Sequence, residues 1–466
     1  VNNSIFREYD IRGVIGRDLH IDETYELGMA IITYLRNKHP NETTLVIGHD
    51  ARSHSIPIQE NVIQAAIDLG INVINIGMCP SPVAYYARHQ LKTPLALVIT
   101  ASHNPKEYNG IKTWGVWGSQ IQEIKNIYYS KKFYHNSSEK GLLKTLDIIP
   151  EYITYLEQHF VHLKNLPIDA VIDCGNGAAG SVMPQLVAKM NWSNVKLLYA
   201  EPDGNFPHHE ADPTVPENMQ DVKKILALDS TIKVGLGLDG DADRMNPMTK
   251  GGELVAGDKM LALYAQKTLK DFPGASIVFD IKSSGSLIEL LTQWGARPCI
   301  SPSGHSLIKK TMLECDAKLA GELSCHFFFN DRYFGYDDGI YATLRLFEIL
   351  AETQQSLEEL LAIIPHKESS PEIRIECSSD AEKASIVDTV KELFAARKDA
   401  DLLTIDGIRA SMSYGWGLLR ASNTQPVICL RFESQTKEGF AKVKEDFYNA
   451  LLPHFDAQTL KDRIEY

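Results

Sequence analysis

The sequence predicts an α/β protein built as three successive mixed α/β domains of similar architecture plus a smaller C-terminal α+β domain. Three observations carry this. Apolar strand-like runs alternate with helical patterns over most of the chain. From "SSPEIRIEC" onward the texture changes to a strand, a long helix, several short strands and a closing helix. The length, 466 residues, exceeds what a single hydrophobic core supports.

Taken in order, "TTLVIGHD" reads as a strand and "IPIQENVIQAAIDLG" as a helix that Gly70 ends. "INVINIG", "SPVAYYARHQ" and "PLALVIT" continue as strand, helix, strand. Alternation at this spacing predicts a largely parallel sheet with helices on both faces. The pattern recurs in "IDAVIDCGNGAAGSVMPQLVAKM" and "KVGLGLDGD". It recurs again where the strands "ASIVFDI", "RPCIS" and "KLAGEL" are separated by the helices "GSLIELLTQWG" and "HSLIKKTMLEC". The helices "DAEKASIVDTVKELFAARK" and "KEGFAKVKEDFYNALL" belong to the last domain. "IIPEYITYLEQHF" reads as a connecting helix and "HKESSPE" as a polar linker. The domains are therefore expected at 1–148, 149–253, 254–367 and 368–466.

Composition excludes several functions. A net charge of -13 argues against a nucleic-acid surface. No apolar run approaches the length of a membrane span, and "VNNSIFREYD" carries no signal-peptide core. Seven cysteines without CxxC pairs read as reduced thiols, so a cytoplasmic protein is expected.

Four loops look chemical. In "TASHNP" a hydroxyl, Ser102, and an imidazole, His103, stand where an apolar strand ends. In "LDGDADR", Asp239, Asp241 and Asp243 alternate ahead of Arg244; a hard divalent cation would relieve their repulsion. "AGELSCHFFF" holds Glu322, Ser324 and His326, and strand alternation would put all three on one face. "RASNTQP" gathers Arg420, Ser422, Asn423 and Thr424, groups suited to a phosphate dianion. Each loop also has an ordinary reading: a capped turn, a solvated acidic turn, an exposed edge strand, a polar turn. A Ser-His-Asp hydrolase is disfavoured. The flanks are not GxSxG, and adjacent side chains on extended backbone point apart.

Together and in this order, the loops resemble those of the α-D-phosphohexomutase family, in its phosphomannomutase/phosphoglucomutase branch. The resemblance spans the chain, and the opening "FREYDIRG" fits the same branch. It implies four domains around one central cleft and a phosphoserine at Ser102. Mg2+ would be held by Asp239, Asp241 and Asp243, with Ser102 contributing a phosphoryl oxygen, and Arg244 would stabilise the transferring group. Hexose 1-phosphate and hexose 6-phosphate would interconvert through a hexose 1,6-bisphosphate that turns end for end. Arg420, Ser422, Asn423 and Thr424 would anchor the distal phosphate, and Glu322, Ser324 and His326 would hold the sugar. Lys112 in "NGIK" and Arg12 in "YDIRG" would lie near the phosphoserine. The proton carrier stays open among Lys112, Arg12, His103 and His326. Tyr9, Lys282 and His305 are further ligand contacts. Hexose phosphates are the expected partners, with no nucleic acid or membrane, and a monomer is expected.

The sequence also departs from the family pattern. Ala242 stands where glycine is common, which adds a methyl. Cys325 stands where glycine is usual, and would be strained if that position needs a positive φ. Asn246 and Pro247 replace apolar residues, and Pro247 demands a short or edge strand. Phosphoglucosamine mutase is the alternative enzyme. An inactive sugar-phosphate-binding relative and a phosphatase are further alternatives.

Overall fold

The computed structural model describes residues 1–135, 139–422 and 426–464. By contacts the chain forms two compact units, Val1–Met260 with Ser324–Leu361, and Leu261–Leu323 with Ala362–Tyr466. Among the described residues no helix is long and apolar enough to cross a membrane.

The first unit opens with strands β1 (Ile11–Val14), β2 (Thr44–His49), β3 (Asn72–Met78), β4 (Leu95–Ile99), β5 (Tyr108–Thr113) and β6 (Leu143–Thr145). They form one sheet in the order β1-β5-β4-β2-β3-β6. Strands β4, β2, β3 and β6 run parallel, whereas β1 and β5 run antiparallel to their neighbours. Four of the six strands thus run parallel, as expected, and chain reversal is confined to one edge. The reason is the connection from β4 to β5, which is too short to hold a crossover helix and must reverse the chain. That reversal is the "TASHNP" loop. All five residues of β4 are buried, as befits a central strand covered on both faces. Leu45, Ile47, Leu97, Ile99 and Ile111 pack with Ile31, Leu35, Ile121 and Tyr128 of the helices Thr24–Lys38 and Ser119–Ser130.

The same unit holds β7 (Ala170–Asp173), β8 (Lys196–Leu198), β9 (Val234–Leu238) and β10 (Met245–Met248), in the order β10-β9-β7-β8. Strand β10 is short, lies at the sheet edge and pairs antiparallel with β9, with Pro247 opposite Leu236. A proline with no N–H to give the ladder is tolerated there. The β9–β10 turn is the "LDGDADR" loop.

In the second unit, β11 (Ser276–Asp280) lies between β12 (Arg297–Ser301) and β13 (Ala317–Gly321), all parallel. The short β14 (Phe327–Phe329) belongs to the first unit and precedes the helix Gly339–Thr353, which Asp338 caps. The C-terminal sheet contains β15 (Glu368–Ser369), β16 (Ile373–Glu376), β17 (Ala400–Leu403), β18 (Ile408–Met412), β19 (Gly415–Ala421) and β20 (Val427–Ser434). Its pairings are antiparallel, and β20 pairs with β15, β16 and β19. Phe394, Phe432 and Phe447 join strands and helices in its core. The stretch expected as a linker therefore carries a two-residue strand, β15.

The β1–β5 pairing depends on Gly110, where an added Cβ would meet Ile11 O at 2.3 Å. Gly110→Ala is expected to lower the urea unfolding midpoint by an amount equivalent to about 2 kcal/mol or more, because backbone must shift in a packed sheet.

Candidate active site

Ser102 stands just past β4, and its backbone is not extended. Its φ is +50°, a conformation that residues with a side chain seldom adopt. The amide of Ser102 donates to Thr100 Oγ1 at 2.9 Å, and Thr100 Oγ1 donates to Asp50 Oδ2 at 2.8 Å. This turn aims Ser102 Oγ at Asp239 Oδ2, to which it donates at 2.8 Å. It also brings Ser102 Oγ within 3.2 Å of His103 Nδ1. The expectation that adjacent side chains point apart fails here because it assumed extended backbone.

Asp239, Asp241 and Asp243 are all buried, and their carboxylate oxygens converge within 4.8 Å. Lys112 lies on β5 and is buried. Its Nζ donates to Asp241 Oδ2 and to Asp243 Oδ2, both at 2.6 Å. Burial works against the Lys112 ammonium, but Asp241 and Asp243 outweigh it and hold its pKa well above the ordinary value. Burial, then Asp243, raises the Asp239 carboxyl. Asp243 is lowered, because Lys112 and His326 overcome the effect of burial. Desolvation, then Arg244 and Arg12, hold the His103 imidazole well below its usual value.

Arg244 follows the three aspartates. Its Nε donates to Asp239 Oδ2 at 3.1 Å and its Nη1 lies 3.5 Å from Asp212 Oδ1. Arg12 on β1 donates from Nη1 to Ala101 O at 2.9 Å, and also bonds Asn104 and Asp10. His326 Nδ1 is 3.3 Å from Asp337 Oδ2 and 3.6 Å from Asp243 Oδ1. No local signal marks Asp212 or Asp337, which come from distant loops.

Whether a cation fits can be tested on the buried polar atoms. Among the described residues, Asp241 Oδ1 and Asp243 Oδ1 have no hydrogen-bond donor, and Arg244 Nη2 and Arg12 Nε have no acceptor. Unpaired buried carboxylate oxygens suit a hard cation, and unpaired buried guanidinium donors suit an anion. The residues fit a divalent metal beside a phosphoryl group.

In the second unit, Arg420 Nε donates to Asp406 Oδ2 at 2.9 Å, and Ser303 N donates to the same oxygen at 3.0 Å. Lys282 lies 3.4 Å from Glu372 and 3.5 Å from Asp280. Glu322 Oε1 accepts from Gly304 N at 2.7 Å, where Gly304 caps the helix His305–Glu314. The carbonyl of Ser422 accepts from Lys383 Nζ at 2.7 Å. Asn423 and Thr424 lie outside the described residues. Glu322, Ser324 and His326 are not on one strand face: β13 ends at Gly321, and a turn separates it from β14. Glu322 belongs to the second unit, Ser324 and His326 to the first. Ser324, Tyr9 and His305 are half-buried.

Sequence profiles of known families match along the chain. Those described as phosphoglucomutase/phosphomannomutase alpha/beta/alpha domains I, II and III match residues 3–134, 150–252 and 256–367, and the C-terminal domain of the same name matches 372–450. The chain belongs to the phosphoglucomutase/phosphomannomutase family. It is similar to a phosphomannomutase/phosphoglucomutase of Pseudomonas aeruginosa, 39% identical over 96% of this chain and 95% of the relative. It is also similar to a phosphoglucomutase of Neisseria gonorrhoeae, 35% identical over 96% of each. A crystal structure of a phosphoglucomutase/phosphomannomutase family protein from Burkholderia thailandensis superposes with a TM-score of 0.88 at 33% identity, covering 97% of this chain and 98% of that one.

The departures from the phosphoglucomutase/phosphomannomutase pattern are physically linked. Cys325 does hold a positive φ, +67°, and Ala242 holds +58°. Each methylene or methyl there costs about 1 kcal/mol relative to glycine. The Cys325 thiol, fully buried, donates to Asn246 Oδ1 at 3.4 Å, and Asn246 Nδ2 donates to Val255 O at 3.1 Å. Two residues that look unrelated in sequence thus satisfy each other in the interior.

Two outcomes are expected. An added Cβ at Gly240 would meet Ser102 O at 2.5 Å, so Gly240→Ala should push the aspartate loop from Ser102 and cut kcat by about 100-fold while the protein stays folded by circular dichroism. Lys282 pulls the Glu372 carboxyl down to about 2. A depressed carboxyl stabilises above its unfolded pKa and loses that stabilisation as pH falls toward the folded one. The urea midpoint of the parent should therefore exceed that of Glu372→Gln at neutral pH, with the gap shrinking as pH falls below about 4.5.

Proposed function

We propose that this chain is a phosphohexomutase, an isomerase that interconverts the 1-phosphates and 6-phosphates of mannose and glucose, with Ser102 as the phosphoryl carrier. One observation carries the reading. A buried hydroxyl on a strained turn points at a buried three-carboxylate loop, with unpaired guanidinium donors of Arg244 and Arg12 among the same residues. Phosphoryl transfer depends mainly on positioning and charge neutralisation, and this arrangement supplies both. The relatives' names favour mannose and glucose over glucosamine as the sugars.

In the forward direction, the 6-hydroxyl of hexose 1-phosphate attacks phospho-Ser102. The O6–P bond forms and the Oγ–P bond breaks. The hydroxyl proton leaves O6, and Ser102 Oγ takes up a proton. His103, whose Nδ1 is 3.2 Å from Ser102 Oγ, is the group placed to exchange that proton. The hexose 1,6-bisphosphate then presents its other end, the Oγ–P bond re-forms as the O1–P bond breaks, the hydroxyl proton leaves Oγ and O1 takes one up, and hexose 6-phosphate leaves. Asp239, Asp241 and Asp243 would hold Mg2+, which supplies charge neutralisation for the transferring group. Lys112 fixes two of those carboxylates, and Arg244, held by Asp239, orients the group in flight. Within the second unit, Arg420 and Ser422 are assigned to a phosphate, Lys282 to a further ligand contact and Glu322 to sugar hydroxyls.

The test is turnover of mannose 1-phosphate, glucose 1-phosphate and glucosamine 1-phosphate with magnesium and a trace of glucose 1,6-bisphosphate. Comparable turnover of the first two, abolished in Ser102→Ala, is the expected result. Preference for glucosamine 1-phosphate, or release of inorganic phosphate faster than isomerisation, would overturn it. Independently of activity, calorimetric titration should show one divalent cation bound by the parent and at least about 10-fold weaker binding by Asp241→Asn.

A further inference from the structure

Arg52, in "GHDARS", takes no part in the reading above, and its side chain is 1% exposed. Its Nη2 donates to the main-chain oxygens of Ser102 at 2.8 Å and Asn104 at 2.5 Å. Its Nη1 donates to those of Pro105 at 2.6 Å and Tyr108 at 3.1 Å. Its Nε donates to Asp50 Oδ2 at 3.1 Å. A guanidinium has five N–H donors, and these contacts engage every one. Three of the acceptors are carbonyls of the loop that carries Ser102, and the fourth, Tyr108 O, stands where that loop enters β5. One face of the guanidinium lies 5.0 Å from the centroid of the Phe206 ring.

We infer that Arg52 is a positioning residue for phosphoryl transfer: it clamps the 102–108 loop so that Ser102 keeps its left-handed backbone and its Oγ stays aimed at Asp239. The inference rests on the reading of Ser102 as phosphoryl carrier. At φ +50° Ser102 holds a conformation about 1–2 kcal/mol above the right-handed one, so an unrestrained loop would relax and carry Oγ away. The restraint is applied on both sides of the residue. Thr100 Oγ1 accepts from the Ser102 amide, and Arg52 Nη2 donates to the Ser102 carbonyl. Asp50 holds both restraining groups, accepting from Thr100 Oγ1 and from Arg52 Nε, and also from Ser55 Oγ and the Arg52 amide. A lysine could not replace the clamp, because three donors on a compact ammonium cannot span four carbonyls and a carboxylate.

The experiment compares Arg52→Lys and Thr100→Val with the full-length parent and with Ser102→Ala. The readouts are urea midpoint, kcat and KM for glucose 1-phosphate, and the rate at which glucose 1,6-bisphosphate phosphorylates Ser102, followed by intact mass. A folded Arg52→Lys should lose about 100-fold in kcat and in the phosphorylation rate, with KM within about 3-fold of the parent. Thr100→Val should fall in the same direction by about 10-fold. A folded Arg52→Lys with the parent's kcat, or with kcat unchanged and KM raised, overturns the inference. If Arg52→Lys does not fold, Thr100→Val decides: a folded variant with the parent's kcat and phosphorylation rate overturns it, and a kcat-selective loss supports it. A parent whose Ser102 never takes phosphate while turnover persists in Ser102→Ala overturns the phosphoserine reading itself, and this inference with it.

Discussion

Three carboxylates buried side by side are the constraint around which the first unit is organised. Asp239, Asp241 and Asp243 could not share the interior without cations, since an isolated buried charge costs several kcal/mol. Lys112 from β5 and Arg244 from the same loop provide part of the compensation. The requirement ties β5 of the first sheet to the β9–β10 turn of the second. Among the described residues, the Oδ1 atoms of Asp241 and Asp243 accept no hydrogen bond and mark what a divalent ion would complete. Buried pairs of this kind seldom add net stability over apolar packing, so their presence is better explained by chemistry than by folding.

The turn that carries Ser102 obeys the same logic at the level of backbone. A positive φ, a buried hydroxyl and an aspartate acceptor cohere only because neighbouring groups hold them. Thr100, Asp50 and Arg52 supply hydrogen bonds on both sides of the serine, and Gly240 leaves the space its carbonyl needs. Strain of this sort persists where surrounding structure over-determines it.

Much of this was legible in the residues. The strands β2, β4 and β11 follow from apolar runs, because burial on both faces leaves a plain compositional trace. The acidic triplet and the strand-end serine were visible because like charges at short spacing, or polar groups ending an apolar run, need a reason. What was not legible had a non-local cause. Strand β5 reads as a polar turn in "YNGIKT", and only its pairing with β1 and β4 makes it a strand and buries Lys112. Asp212, Asp337 and Arg52 act across loops far apart in the chain, and nothing in their neighbours predicts it.

By itself the sequence determined the chemical inventory of the protein: which side chains can hold a metal, carry a phosphoryl group or bind an anion, and in what order they occur. Those properties belong to residue types and short spacings. The tertiary structure alone decided which of them meet. It placed Ser102 against Asp239 and Lys112 between two aspartates, and it paired Cys325 with Asn246, so that two unusual residues became one satisfied contact. Distance and burial set the strength of each interaction, and both are properties of the packed chain that no local stretch contains.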